Sequence, residues 1–216
     1  MIGKALDWIV SRSGLKEPHR VFLERRIPEN LNYSYCLGGV AFTCFLISAV
    51  TGLFLSIYYV PSAKDAFHSI LMINEKIFLG RTIRSLHKWS ANLLIVSMLL
   101  HTIRVVINRS YGPPRELNWI AGVVLLVLVM AEGFTGYLLP WDQKAYWATV
   151  VGTNIATAIP FIGSELLYLL RGGTDVNGIT LIRFYSLHVL WIPLFIILLL
   201  WAHFHMVRKL GISRPL

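Results

Sequence analysis

His87-Lys88-Trp89-Ser90-Ala91-Asn92-Leu93-Leu94-Ile95-Val96-Ser97-Met98-Leu99-Leu100-His101 decides how the rest of the chain is read. Most of the stretch is apolar, yet each end is an imidazole, and the two histidines stand 14 residues apart. At 100° per residue that spacing returns to within about 40° of one helix face and separates the rings by roughly 21 Å along the axis. A run of this length and hydropathy belongs in a bilayer. An ionisable side chain placed there is a functional-site hypothesis in its own right.

The pattern recurs further along. His188 and His203 stand 15 residues apart in another apolar run, about 60° from one face. Four such runs exist, over residues 35–59, 89–107, 119–139 and 187–207. Each is long enough to cross as a helix, and Trp and Tyr cluster near the ends as they do at a membrane interface. Composition agrees: of 216 residues 56% are hydrophobic and 14% charged, against about 25% charged in a soluble domain. Disorder, collagen and coiled coil are excluded, and the expected fold is an all-α, four-transmembrane-helix bundle. The net charge of +9 sits between the apolar runs, so it reads as membrane flanks and no nucleic-acid partner is expected.

Outside the runs, residues 2–11 place Ile2, Leu6, Ile9 and Val10 near one face, which predicts an N-terminal helix lying on the membrane surface. No cleavable signal peptide is expected in this cationic segment. Residues 1–30 are therefore set apart from a helical domain over 31–216. The connection of about 45 residues between the third and fourth runs is long enough to be functional. Short helices are expected there over 141–151 and 164–170.

Lys and Arg counts set the orientation. Twelve fall in the N-terminus, the second-to-third connection and the C-terminus, against eight in the other two connections. Both termini are therefore expected on the cytoplasmic side. His87 and His188 then share an outer depth, and His101 and His203 an inner one. A lone histidine in a bundle is more often a hydrogen-bonded packing residue. Two depth-matched pairs fit two haems, each with imidazole on both axial positions, whereas two ligands per level are too few for zinc. His205 lies about 100° off the His188 face, so His203 is the expected ligand. His19 and His68 fall outside the helices and read as surface histidines.

Glycines repeat the spacing: Gly38 and Gly52 in the first run, Gly122 and Gly136 in the third, both pairs 14 apart. A flat macrocycle in a bundle needs the close backbone approach that glycine permits. Arg84 stands three residues before His87 and Arg104 three after His101, where they either pair with propionates or snorkel as flanks. Arg208, five residues beyond His203, lies toward the cytoplasmic surface and is a candidate propionate partner there. Cys36 and Cys44 read, on their own, as small apolar residues. Glu132, inside the third run, has no evident role.

Together these features resemble the cytochrome b family, and its b6-type members in particular. The resemblance covers residues 26–216. It rests on His-x13-His, His-x14-His and the paired glycines, and on the segments Tyr35-Cys36-Leu37-Gly38-Gly39, Pro114-Arg115-Glu116-Leu117, Gly136-Tyr137-Leu138-Leu139-Pro140-Trp141-Asp142-Gln143, Arg183-Phe184-Tyr185-Ser186-Leu187-His188 and Arg208-Lys209-Leu210-Gly211-Ile212-Ser213. The N-terminal 25 residues match only loosely.

The resemblance implies two non-covalent b haems and a third haem held by one thioether bond at Cys36. It implies a haem-carrying electron-transfer subunit of a quinol:cytochrome c or plastocyanin oxidoreductase, inactive alone and coupled to proton translocation. Electrons would cross between an outer quinol-oxidation site, including residues 137–147, and an inner quinone-reduction site. The implied partners are a subunit IV-like membrane chain carrying the remaining helices, a Rieske iron–sulfur protein and a membrane-anchored cytochrome c or f, in a dimeric complex of a bacterial plasma or thylakoid membrane. The alternative is a di-haem membrane anchor of a dehydrogenase or hydrogenase. Paired histidines argue against a channel or transporter.

Overall fold

Hydropathy and helix length set the architecture. The computed structural model describes residues 33–211, and every regular element among them is helical. The predicted surface helix over 2–11 and His19 lie outside the described residues. After a short 3-10 turn, Tyr33–Cys36, come α1 (Leu37–Tyr58), α2 (Ala66–Glu75), α3 (Gly80–Ile107) and α4 (Glu116–Leu138). Then follow α5 (Gln143–Ala156), α6 (Gly163–Arg171), α7 (Gly178–Ser186), a π-helical turn (Leu187–Trp191) and α8 (Ile192–Leu210). Four helical stretches are long and apolar enough to span a bilayer: Tyr33–Tyr58, Gly80–Ile107, Glu116–Leu138 and Gly178–Leu210.

The spans differ from the expected runs at two starts. Helix α3 begins at Gly80 rather than near Trp89. Arg81, Arg84, His87 and Lys88 depress the hydropathy of its first turns without breaking the helix. The fourth span begins at Gly178 rather than Leu187, because α7 runs through the π turn into α8. Asn177 caps α7 by accepting from the Ile179 N–H, while the Thr180 hydroxyl accepts from the Asn177 N–H. Helix α2 was not expected, and His68 is carried on it, exposed. Its entry is marked by Ser62 and Asp65: the Ser62 hydroxyl donates to the Asp65 carboxylate and accepts from the Asp65 N–H.

The helices pack chiefly as α1 along α3 and α4 along α8. The central core holds Ala41, Cys44, Leu94, Leu125, Val129, Ile192 and Ile196. A second core joins α2 and α7 to the ends of α1 and α4 through Tyr59, Ala66, Ile73, Leu138, Val176, Leu181 and Phe184. Around it, the Tyr59 hydroxyl donates to the Leu139 carbonyl at 2.7 Å. Burial pushes the Tyr59 phenol up, so it stays protonated as that bond requires.

The expected helices over 141–151 and 164–170 are present, as α5 and α6. Trp141 takes a left-handed conformation (φ 52°), and Asp142 caps α5 by accepting from the Ala145 N–H at 2.8 Å. Arg171 is buried at 5% exposure. It donates to Thr153 Oγ1, Asn154 Oδ1 and the Val150 and Thr174 carbonyls. Neutral acceptors thus solvate this charge and fasten α5 to α6.

Candidate haem sites

Each predicted glycine faces one predicted histidine across a helix pair. A Cβ on Gly52 would lie 3.1 Å from His87 Cε1, and one on Gly136 would lie 2.5 Å from His188 Cε1. A Cβ on Gly38 would lie 3.2 Å from His101 Cε1, and one on Gly122 would lie 3.4 Å from His203 Cε1. The eight residues form two clusters, one at each end of the central core. The core supplies residues between the members of every pair: Leu94 in α3, Ile192 and Ile196 at the start of α8, Ala41 and Cys44 in α1, and Leu125 and Val129 in α4.

At the level expected to be the outer one, called outer below, the His87 and His188 ring centroids are 6.1 Å apart and nearly perpendicular, at 81°. A metal–imidazole bond of about 2.0–2.1 Å, plus about 1.1 Å from nitrogen to ring centre, puts two imidazoles on one ion roughly 6.3 Å apart. The observed separation agrees. His87 Nδ1–H donates to the Ser48 carbonyl at 3.0 Å, with Thr51 Oγ1 3.1 Å away. His188 Nδ1–H donates to the Glu132 carbonyl at 3.0 Å, with Thr135 Oγ1 3.5 Å away. A carbonyl can only accept, so Nδ1 carries the hydrogen in both rings and Nε2 keeps the lone pair a metal needs.

The two halves of this level repeat one motif. Ser48, Thr51 and Gly52 on α1 correspond to Glu132, Thr135 and Gly136 on α4. The Thr-Gly dipeptide is the sequence signal for the second hydrogen-bond partner. Sequence reading used only its glycine.

The inner level is completed differently. Nδ1 of His101 and of His203 is buried and makes no hydrogen bond of standard geometry, the Asn118 backbone being the polar group that faces His203. His205 points elsewhere, exposed and stacked on Trp201 at 6.0 Å between centroids.

The unequal spacings are reconciled by the π turn that contains His188. A π turn has about 4.4 residues per turn and so advances about 80° per residue. Over the four steps from His188 to Ile192 this removes roughly 80° of rotation relative to an α-helix. The 15-residue pair, about 60° ahead of one face, then falls near −20°, on the same side as the −40° of the 14-residue pair.

Arg84 is half-buried and donates to Asn74 Oδ1 at 3.4 Å. The Arg104 guanidinium lies over the Tyr35 ring at 3.5 Å. Arg208 is exposed near the end of α8. Cys36 is an exposed free thiol at the N-cap of α1, and Cys44 is buried in the central core. An open groove beside Cys36 is lined by Tyr35, Gly39, Val40, Thr43 and Cys44.

Among the described residues no three His, Cys, Asp or Glu side chains gather as a metal site. Each level offers two imidazoles. A metal held between them would bring its remaining ligands in a macrocycle, and the glycines let each imidazole seat directly against helix backbone. The residues present therefore fit haem.

The comparisons agree with this geometry. The family profile described as cytochrome b/b6/petB matches residues 22–211. The chain is 44% identical to cytochrome b6 of Cyanidium caldarium and 43% identical to cytochrome b6 of Synechococcus elongatus, in both cases over 100% of each chain. A structure titled "Hyperthermophilic respiratory Complex III" is similar at a TM-score of 0.92 and 33% identity, covering 97% of this chain and 56% of that one. The chain therefore spans little more than half of that structure's chain. Four apolar spans, two bis-histidine levels and full-length similarity converge: this chain is an integral membrane, haem-binding electron-transport protein that belongs to the cytochrome b/b6 family.

Proposed function

We propose that the chain is the haem-carrying electron-transfer subunit of a quinol:cytochrome c or plastocyanin oxidoreductase. It would move electrons between an outer quinol-oxidation site and an inner quinone-reduction site, coupled to proton translocation, and would not act alone. The observation that carries this reading is the stacking of two imidazole pairs, each backed by glycines, at the two ends of one apolar core.

When bound, haem b supplies a one-electron carrier at each level. His87 and His188 would hold it at the outer level through Nε2, with Nδ1 fixed by backbone carbonyls. His101 and His203 would do so at the inner level. Leu94, Leu125, Val129, Ile192 and Ile196 keep water out of the interval. Arg84, Arg104 and Arg208 would pair with propionates. The turn at Pro140–Gln143, with Tyr137 55% and Trp147 59% exposed, would form this chain's half of the quinol site. A subunit IV-like chain would supply the other half. A Rieske protein and a membrane-anchored cytochrome c or f complete the proposed dimeric complex, with both termini of this chain on the cytoplasmic or stromal side. Quinol added to the purified complex should reduce its b-type bands and then a c-type cytochrome or plastocyanin. Bands that stay oxidised contradict the reading.

Cys36 would hold a third haem by a single thioether. Its thiol is exposed, it stands two residues from Gly38 of the inner level, and at Gly39 there is open space where a side chain would begin. After acid–acetone extraction and denaturing electrophoresis, wild-type chain should stain for haem and Cys36→Ser should not. A colourless wild-type band returns Cys36 to the status of a plain thiol.

A further inference from the structure

The two halves of the outer level match except at one position. On α1 it is Ser48, whose hydroxyl is hydrogen-bonded to that of Ser90 at 2.7 Å, so His87 meets only the Ser48 backbone. On α4 it is Glu132. Its carboxyl Oε1 lies 3.1 Å from His188 Nδ1, beside the Glu132 carbonyl that already accepts from that nitrogen at 3.0 Å. The other carboxyl oxygen, Oε2, is buried and has no hydrogen-bond partner. A carboxylate in a membrane span is costly. This one turns inward, onto an imidazole, rather than out towards a cation.

We propose that Glu132 is a positioning residue for His188: its carboxyl is a further acceptor at Nδ1–H, closer than Thr135 Oγ1, that fixes the ring plane and makes His188 a stronger electron donor through Nε2 than His87. This rests on the reading of His188 as an axial ligand. The physical ground is general: an acceptor on the far nitrogen of a ligating imidazole sets its orientation and raises its basicity. A more basic ligand favours the oxidised metal, so Glu132 lowers the outer potential. Because His87 has no such carboxyl, the two ligands of one level are unequal.

The test is redox titration of the purified complex with optical and electron-paramagnetic-resonance detection, for wild type, Glu132→Leu and Glu132→Gln. Glu132→Leu should raise the outer potential by about a tenfold change in the oxidised-to-reduced ratio, which is about 59 mV for one electron. It should also move the outer low-spin resonance, leaving the inner haem unchanged. Glu132→Gln keeps an acceptor oxygen and should recover most of both shifts. Should Glu132→Leu shed the outer haem, retention with near wild-type properties in Glu132→Gln still supports the role. Wild-type potential and resonance in Glu132→Leu overturn it, and so does a Glu132→Gln variant that behaves like Glu132→Leu. His188→Ala distinguishes the underlying reading: two b haems retained there would show that His188 is no ligand.

Discussion

At the outer level both imidazoles give Nδ1–H to a backbone carbonyl at 3.0 Å, whereas at the inner level neither Nδ1 makes a hydrogen bond of that quality and only His203 has a facing backbone group, at Asn118. Steric fit singles out one outer pair: a Cβ on Gly136 would come to 2.5 Å from His188, whereas the other three pairs fall between 3.1 and 3.4 Å. The outer rings are thus oriented by strong polar contacts, with His188 the most tightly packed, and the inner rings by packing and a weaker polar contact at His203. The outer level also carries the irregular backbone, since His188 sits in the π turn. One repeated scheme of histidine opposite glycine has been fixed firmly at one end and left looser at the other.

Several variants would break or sharpen this contrast. The largest effect is expected from one alanine inserted after Leu94. It rotates His101 by about 100° relative to His87, and α3 has no π turn to absorb it. One level should be lost, as seen in haem content per chain. Deleting Val189 from the π turn should instead leave both levels, because the fourth span then has the 14-residue spacing in plain α-helix. Loss of a level on that deletion would contradict the account of the unequal spacings.

Next in size come the glycines. Gly136→Ala drives a methyl into His188, and overpacking of this kind costs about 1–3 kcal/mol, so outer occupancy should weaken roughly five- to 150-fold. Gly122→Ala meets ordinary contact at His203 and should cost less than about 1 kcal/mol. Haem retention during detergent titration measures both, and equal losses would remove the distinction between the levels. The smallest effects belong to the arginines. Arg84→Gln and Arg104→Gln should each lower the nearest haem potential by an amount on the order of 1 kcal/mol, as expected for a cation removed at an effective dielectric near 20. Unchanged potentials would mark these arginines as flanking residues.

Much of this architecture could be read from residue order. The spans around α1 and α4 are recovered within a few residues, because a continuous apolar run is the signal and few polar residues interrupt it. The starts of α3 and of the fourth span were missed for the opposite reason: Arg81, Arg84 and Arg183 lower hydropathy while remaining helical. Helix α2 announced itself only through Ser62 and Asp65, a capping pattern in a segment read as a connection. Equal spacings tied the glycines to the histidines, but which glycine meets which histidine came only with the packing of the helices. The π turn was not legible either, since a single extra residue in one interval has no side-chain signature. Glu132 was conspicuous in sequence but silent in meaning. Its role depends on which face of α4 meets α8, and hydropathy does not report that.

The central claim is that two histidine pairs hold two b haems, one at each level. Pyridine-haemochrome quantification of purified His188→Ala and His203→Ala, each with a redox titration of what remains, tests it most directly. The account predicts that each variant loses about one b-type haem per chain, His188→Ala leaving the inner haem and His203→Ala the outer. Either variant retaining both, or His205→Ala losing a haem that His203→Ala keeps, would contradict it.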